Sequence, residues 1–251
     1  MAKADENFVQ YSKYYDLLYG NKDYILEAKY ISECIRRYSP SAISILEFGS
    51  GTGIHGLILK ELGYDIYGLE RSELMVDEAK RRGFPCMLAD ISSYVLDRRF
   101  DVVISLFHVI SYITENSSLE KVFKNASRSL QTGGLFIFDV WYTPAVYHQG
   151  AVNKIKKVEN GETSVVRFAE PTICPNENVV EVKYYIIVKD KKSYKSIEFQ
   201  EIHPMRHFSI PEIALLAKLS DFEVLKCEEF LSGNQPSLNS WGVNFILKKN
   251  G

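Results

Sequence analysis

A strand-like run, Ile45-Leu46-Glu47-Phe48, breaks into Gly49-Ser50-Gly51-Thr52-Gly53 and then into a helical segment starting at Ile54-His55. Glycines at such a turn let main-chain N–H groups approach a ligand at the carboxyl end of a strand, where nucleotide-like molecules bind in open α/β sheets. The dinucleotide fingerprint G-x-G-x-x-G needs a glycine where this chain has Ile54, so a pyrophosphate is disfavoured. Glu47 argues the same way: an anion at the mouth of the loop would repel a pyrophosphate but suit a ligand carrying an ammonium and a sulfonium. Farther on, Glu70 in Tyr67-Gly68-Leu69-Glu70-Arg71-Ser72 can accept both hydroxyls of an adenosine ribose. Asp90 in Leu88-Ala89-Asp90-Ile91 offers a carboxylate for the exocyclic amine of adenine, with Ile91 as an apolar neighbour for the ring. The run Ser105-Leu106-Phe107-His108-Val109-Ile110-Ser111-Tyr112 then leaves a strand for a helical turn, which sets His108 and Tyr112 at i and i+4 on one face. A histidine there is a reasonable base for an amine or a hydroxyl, and the alternative is an imidazole hydrogen-bonded within a loop.

These groups need a sheet to bring them together. Leu26, Tyr30, Ile31, Cys34 and Ile35 repeat at helical spacing up to Ser39-Pro40, after which short apolar runs alternate with amphipathic segments as far as Val140. Residues 43–48, 65–69, 86–89, 101–106 and 135–140 read as strands, some apolar on both faces, as a parallel sheet covered by helices requires. From Lys154 to Pro204 the pattern turns to β-like alternation (163–168, 179–188, 194–202), with turn signals at Glu159-Asn160-Gly161 and Pro175-Asn176. A helix follows Ser209-Ile210-Pro211, and strand-like runs at 222–230 and 241–248 close the chain. The expected architecture is an α/β, Rossmann-like, doubly wound sheet of seven strands, the last antiparallel, with a small antiparallel insert after the fifth. Its parts are 1–140, the N-terminal helices and the cofactor-binding half, then 141–205, the insert, and 206–251, the closing helix and strands.

Composition narrows the partners. The 30 Lys and Arg nearly cancel the 32 Asp and Glu, so no global field draws the chain to nucleic acid or to a membrane surface, and neither is an expected partner. No apolar run approaches the roughly 20 residues needed to span a bilayer, and Met1-Ala2-Lys3-Ala4-Asp5-Glu6 begins no signal-peptide core, so a cytoplasmic protein is expected. Cys34, Cys86, Cys174 and Cys227 form no CxxC pair and read as reduced core residues.

The segment Glu47 to Gly53 resembles the E/D-x-G-x-G-x-G signature of class I S-adenosylmethionine-dependent methyltransferases, and the resemblance extends along nearly the whole chain to the last strand. It implies S-adenosyl-L-methionine as cofactor and S-adenosyl-L-homocysteine as product. It also implies that Glu47, Gly49, Ser50, Gly51 and Gly53 form the cofactor loop, that Glu70 holds the ribose with Arg71 and Met75 beside it, and that Asp90 and Ile91 border the adenine. Leu106 and Phe107 would flank the cofactor, and Tyr15 and Tyr24 would reach its methionine end. Within the family the chain looks closest to nucleotide-linked amino-sugar N-methyltransferases and glycine N-methyltransferases. It shares with them Tyr15-Asp16, Asp23-Tyr24, the run Phe107 to Ile113, Asp139-Val140-Trp141-Tyr142-Thr143-Pro144 and the insert, and departs from the amino-sugar enzymes in Asp139, where they tend to carry glutamate.

Methyl transfer from a sulfonium needs no metal: the protein has to orient a nucleophile and take its proton. His108 and Tyr112 are the candidates for that work. Trp141 and Tyr142 stand where a wall for a sugar or planar ring would be, though packing against the insert explains them too. Arg206 has the fork for a substrate carboxylate or phosphate, or for an ordinary ion pair, and His203 lies beside it. His203 and His207, without further ligands at suitable spacing, make a poor metal site. The leading expectation is methylation of a small-molecule amine by a monomer or homodimer, with a hydroxyl or carboxylate acceptor second. An NAD-dependent oxidoreductase and a non-catalytic cofactor-binding module are the alternatives of other classes.

Overall fold

The computed structural model describes residues 10–94 and 96–251. Residues 1–9, on which the expectation about a signal peptide rests, lie outside the described residues. Helices α1 (Tyr15–Tyr19) and α2 (Tyr24–Tyr38) lead into β1 (Ser44–Phe48), and α2 starts where the Asp23 carboxylate accepts from the Leu26 N–H at 2.9 Å. Then come α3 (Ile54–Glu61), β2 (Asp65–Glu70), α4 (Glu73–Arg81), β3 (Cys86–Leu88), β4 (Phe100–Ser105), α5 (Asn116–Ser129) and β5 (Leu130–Tyr142). The insert contributes α6 (Thr143–Gln149), β6 (Lys154–Glu159), β7 (Thr163–Cys174), β8 (Val179–Asp190) and β9 (Ser196–Phe208). Last come α7 (Ile210–Leu219), β10 (Phe222–Glu229) and β11 (Gly242–Lys249).

Among the described residues, seven core strands run β3-β2-β1-β4-β5-β11-β10, and of these only β11 is antiparallel to the rest. The period-2 alternation of β5 explains why the sheet is covered on both sides. Phe136, Phe138 and Val140 face α5 and α7, while Leu135 and Ile137 belong to the core under α2 and α3. Phe138 stacks on Phe245 of β11 at 5.6 Å between centroids and meets Phe123 of α5 edge-on at 5.5 Å. Burial of each such ring contributes about 1.5–3 kcal/mol, so the sheet is anchored in its middle and its strand ends are left to bind.

Two expectations change. The insert has four strands rather than three, because the alternation at Lys154–Glu159 pairs with β7 from Lys154↔Ala169 to Glu159↔Ser164. It is also continuous with the core: beyond the last β4 pair, Ser105↔Phe138, strand β5 pairs in parallel with β9 at Trp141↔His207 and Tyr142↔Phe208. No local pattern announces a two-residue junction between strands so far apart in sequence.

Candidate active site

The turn after β1 carries the ligand-facing backbone. Gly51 has φ +55, and a Cβ built there would meet only the Met75 sulfur at 4.0 Å, so the position opens onto a cavity rather than onto packing. At Gly49, φ +68, a Cβ would lie 2.5 Å from Val109, which keeps the loop flush against the segment after β4. Glu70, at the end of β2, ties the loop down: its carboxylate accepts from the Gly51 N–H at 3.0 Å and from the Ser72 N–H at 2.8 Å. Burial raises the Glu70 carboxyl, and those two N–H groups oppose the rise. The cavity, of about 830 Å³, follows the strand ends in sheet order. Gly49–Thr52, Glu70–Met75 and Leu88–Ile91 line it on one side, and Leu106–Val109 with Tyr112 line the middle. Tyr11, Tyr15, Tyr19, Tyr24, Trp141 and Trp241 join them with Tyr184 and Met205 of the insert, and Ile54, His55 and Leu69 also line it.

Glu47 is not at the mouth of the loop. It is 2% exposed and outside the cavity lining, and its Oε2, which has no hydrogen-bond partner, lies 2.9 Å from where a Gly56 Cβ would be. Burial first and Glu70 second push its carboxyl up to about 8, with Lys22 opposing. It is therefore largely protonated at neutral pH, and repulsion of a pyrophosphate by an exposed anion is not what it does. Gly53 also stays outside the lining, its Cβ position 2.7 Å from the Phe84 ring.

The chain turns sharply after β4. Phe107 and His108 have φ of 64° and 61°, two consecutive non-glycine residues in the left-handed region, each worth about 1–3 kcal/mol of strain. Asp139, 1% exposed, holds this corner: its Oδ2 accepts the His108 backbone N–H at 3.2 Å and stands 2.6 Å from His108 Nδ1. That ring contact is electrostatic in character, since its angle does not make a linear hydrogen bond. Burial would raise the Asp139 carboxyl, but the His108 imidazole and N–H outweigh it and hold the group below the usual carboxylate range. Because His108 precedes a 3₁₀ turn over Val109–Tyr112 and is itself left-handed, the expected α-helical i, i+4 face does not form. His108 and Tyr112 both line the cavity by separate routes, and the Tyr112 hydroxyl lies 3.2 Å from His203 Nδ1.

Three expected substrate contacts do not reach the cavity. Arg206, with its side chain 11% exposed, is held by the Thr114 carbonyl at 2.9 Å, Asn116 Oδ1 at 2.7 Å and Glu212 at 2.6 Å, so its fork is already spent on joining the insert to α7 and the 114–116 loop. His203 is fully buried behind Tyr112, and Tyr142 packs into the core on the α5 side. His207 turns away to the Thr143 hydroxyl at 2.9 Å, and burial followed by Arg206 pushes it down to about 4, so the two histidines do not converge.

A family model described as a methyltransferase domain matches residues 45–134. A dTDP-3-amino-3,4,6-trideoxy-alpha-D-glucopyranose N,N-dimethyltransferase of Streptomyces venezuelae is 29% identical over 220 residues, covering 86% of this chain and 87% of that protein. A dTDP-3-amino-3,6-dideoxy-alpha-D-glucopyranose N,N-dimethyltransferase of Streptomyces fradiae is 29% identical over 181 residues, 70% of this chain and 71% of that one. This chain is a class I S-adenosylmethionine-dependent methyltransferase. Its fold is shared with Streptomyces venezuelae DesVI, with TM-score 0.80 at 24% identity over 97% of this chain and 99% of that one. A sugar N-methyltransferase from Streptoalloteichus shares it too, with TM-score 0.81 at 24% identity over 94% and 93%.

The residues of the methyltransferase fit S-adenosylmethionine. The Tyr24 hydroxyl is buried without a partner beside the cavity it lines, and Gly51 leaves space where backbone must meet a ligand. Several lining residues escaped the sequence reading. Tyr184 and Met205 lie on insert strands whose inward face only the long-range pairing selects. Trp241 meets Trp141 at 5.4 Å because β11 pairs Gly242 with Trp141. His55, paired with Glu27 at 2.9 Å, had only its place after the glycine loop as a signal.

Proposed function

We propose that this methyltransferase moves a methyl group from S-adenosylmethionine to the amino group of a nucleotide-linked sugar or a similar small amine. The relatives named for dTDP-linked amino sugars support the acceptor class. The observation that carries the chemistry is a cavity in which His108, backed by buried Asp139, stands between the Glu70 end and the Trp141 wall. S-adenosylmethionine, when bound, supplies a methyl group on a positively charged sulfur that leaves as a neutral thioether. Everything else falls to the chain. Glu70 accepts the ribose hydroxyls, with Arg71 and Met75 beside it. Asp90 takes the adenine amine against Ile91, and the main chain of Gly49, Ser50 and Gly51, with Tyr15, Tyr24, Leu106 and Phe107, encloses the methionine part. Asp139 at Nδ1 leaves Nε2 of His108 for the cavity, where it takes the proton of the amine as the new bond forms. Trp141 and Trp241 give the acceptor ring an apolar wall.

In this reading residues 141–205 form the acceptor-facing insert of a cytoplasmic monomer or homodimer that acts on neither nucleic acid nor membranes. The near balance of 30 basic and 32 acidic residues supports it, and no helix among the described residues is long and apolar enough to cross a membrane. The test incubates the protein with labelled S-adenosylmethionine and a dTDP-linked 3-amino-3,4,6-trideoxyglucose, and reads the product by mass spectrometry. A methylated amine is expected. Label appearing only on hydroxyl or carboxylate acceptors would overturn the amine assignment.

A further inference from the structure

Glu201 sits on β9 at the seam between the insert and the segment preceding α1, and both of its oxygens are engaged. Oε1 accepts the backbone N–H groups of Tyr11 at 3.0 Å and Gln10 at 3.3 Å, while Oε2 lies 3.1 Å from His203 Nε2. Rings of Tyr184 at 4.8 Å and Tyr11 at 5.2 Å flank His203, which is wholly buried. A carboxylate can only accept, so Nε2 carries the hydrogen toward Glu201, and in that tautomer Nδ1 is the acceptor for the Tyr112 hydroxyl 3.2 Å away. The O–H of Tyr112 is thereby turned toward His203. The same N-terminal segment brings Tyr11, Tyr15 and Tyr19 to the cavity, and Arg167 of β7 pins it again, donating to the hydroxyls of Tyr11 at 2.6 Å and Tyr19 at 3.1 Å.

We propose that Glu201 is a positioning residue with two linked tasks: one oxygen seats the N-terminal segment over the cavity, and the other fixes the His203 tautomer that orients the Tyr112 hydroxyl. Seating of the segment and orientation of an active-site phenol are thus linked through one carboxylate. The use of Tyr112 rests on the proposed active site, but the test needs no acceptor, so a failed methylation assay leaves it standing.

The experiment records imidazole ¹⁵N spectra of the full chain with S-adenosylhomocysteine, assigned by loss of the His203 signal in His203→Gln, together with hydrogen exchange over residues 10–19. The parent should show His203 with hydrogen on Nε2. In Glu201→Gln the amide can donate to Nε2, so the ring should swap to the Nδ1–H tautomer while exchange over 10–19 quickens by about tenfold, the change for about 1.4 kcal/mol of local opening. Tyr112→Phe should keep the parental tautomer and the parental exchange, because Glu201 and not the phenol sets the ring. Should the glutamine variant fail to fold, Glu201→Asp, which keeps the charge but shortens its reach, should show the same quickening with a mixed tautomer population. An unchanged His203 spectrum in the Glu201 variants, or a swap in Tyr112→Phe instead, overturns the proposal.

Discussion

Replacing Glu47 by glutamine removes an ionisation that the fold resists. The carboxyl sits at 4.5 when solvated and is pushed up to about 8 in the native chain, by burial and then by Glu70. Between those values the native protein keeps a proton that the unfolded chain has already lost. Native stability therefore falls as pH rises through the window, by about 1.4 kcal/mol for each pH unit. Below 4.5 both states are protonated and the contribution is nil; above about 8 both are ionised and the loss, about 5 kcal/mol in all, is complete. Glutamine has no such dependence. The unfolding free energy of Glu47→Gln minus that of the parent should accordingly climb by about 4 kcal/mol from about pH 5 to about pH 8, whatever its constant offset. Urea titrations of ligand-free protein followed by tryptophan fluorescence measure this directly, since the difference is taken at matched pH and other titrating groups largely cancel. Parallel pH dependences in the two proteins would refute the burial of an uncompensated carboxyl beneath the glycine loop.

Glu70→Ala should weaken S-adenosylmethionine by about 1–3 kcal/mol in calorimetry, the loss of charge-assisted hydrogen bonds, and parental affinity would remove the ribose assignment. Gly51→Val should abolish cofactor binding in a folded protein, whereas Gly49→Ala should lower thermal stability first, because its Cβ meets Val109. His108→Ala should reduce kcat by about 10²–10⁴ while the Kd of S-adenosylhomocysteine stays within about threefold; a near-parental rate would make His108 a packing residue. Arg206→Ala should cost about 2–3 kcal/mol of stability in urea without changing cofactor affinity, and an intact stability with a raised acceptor KM would restore it to the substrate site.

The parts of the site that could be read in the sequence are those encoded locally. Gly49 to Thr52 after an apolar strand, Glu70 at the end of the next strand and Asp90 after the third all follow from periodicity and turn chemistry. What could not be read depends on long-range pairing. Arg206 looks available until Glu212 and the 114–116 loop fold around it. Glu47 looks like an anion until α3 closes over it, and nothing in Phe107-His108 announces two successive left-handed residues. The acceptor wall is farthest from view, since Tyr184 and Met205 come from insert strands and Trp241 from the residue before β11, and their facing is fixed only when β9 and β11 dock on β5.

That docking has a consequence for how the chain is made. The insert strands pair in a local antiparallel series, β6 with β7, β7 with β8 and β8 with β9, whereas β5 must wait for β11, some hundred residues later, to cover its second edge. During synthesis the insert can therefore assemble while the parent sheet still exposes the apolar edge of Leu135–Val140, a segment rich in phenylalanine and able to pair with another chain. Nascent chains arrested before residue 242 should bind chaperones through this strand, and completion of β11 should release them.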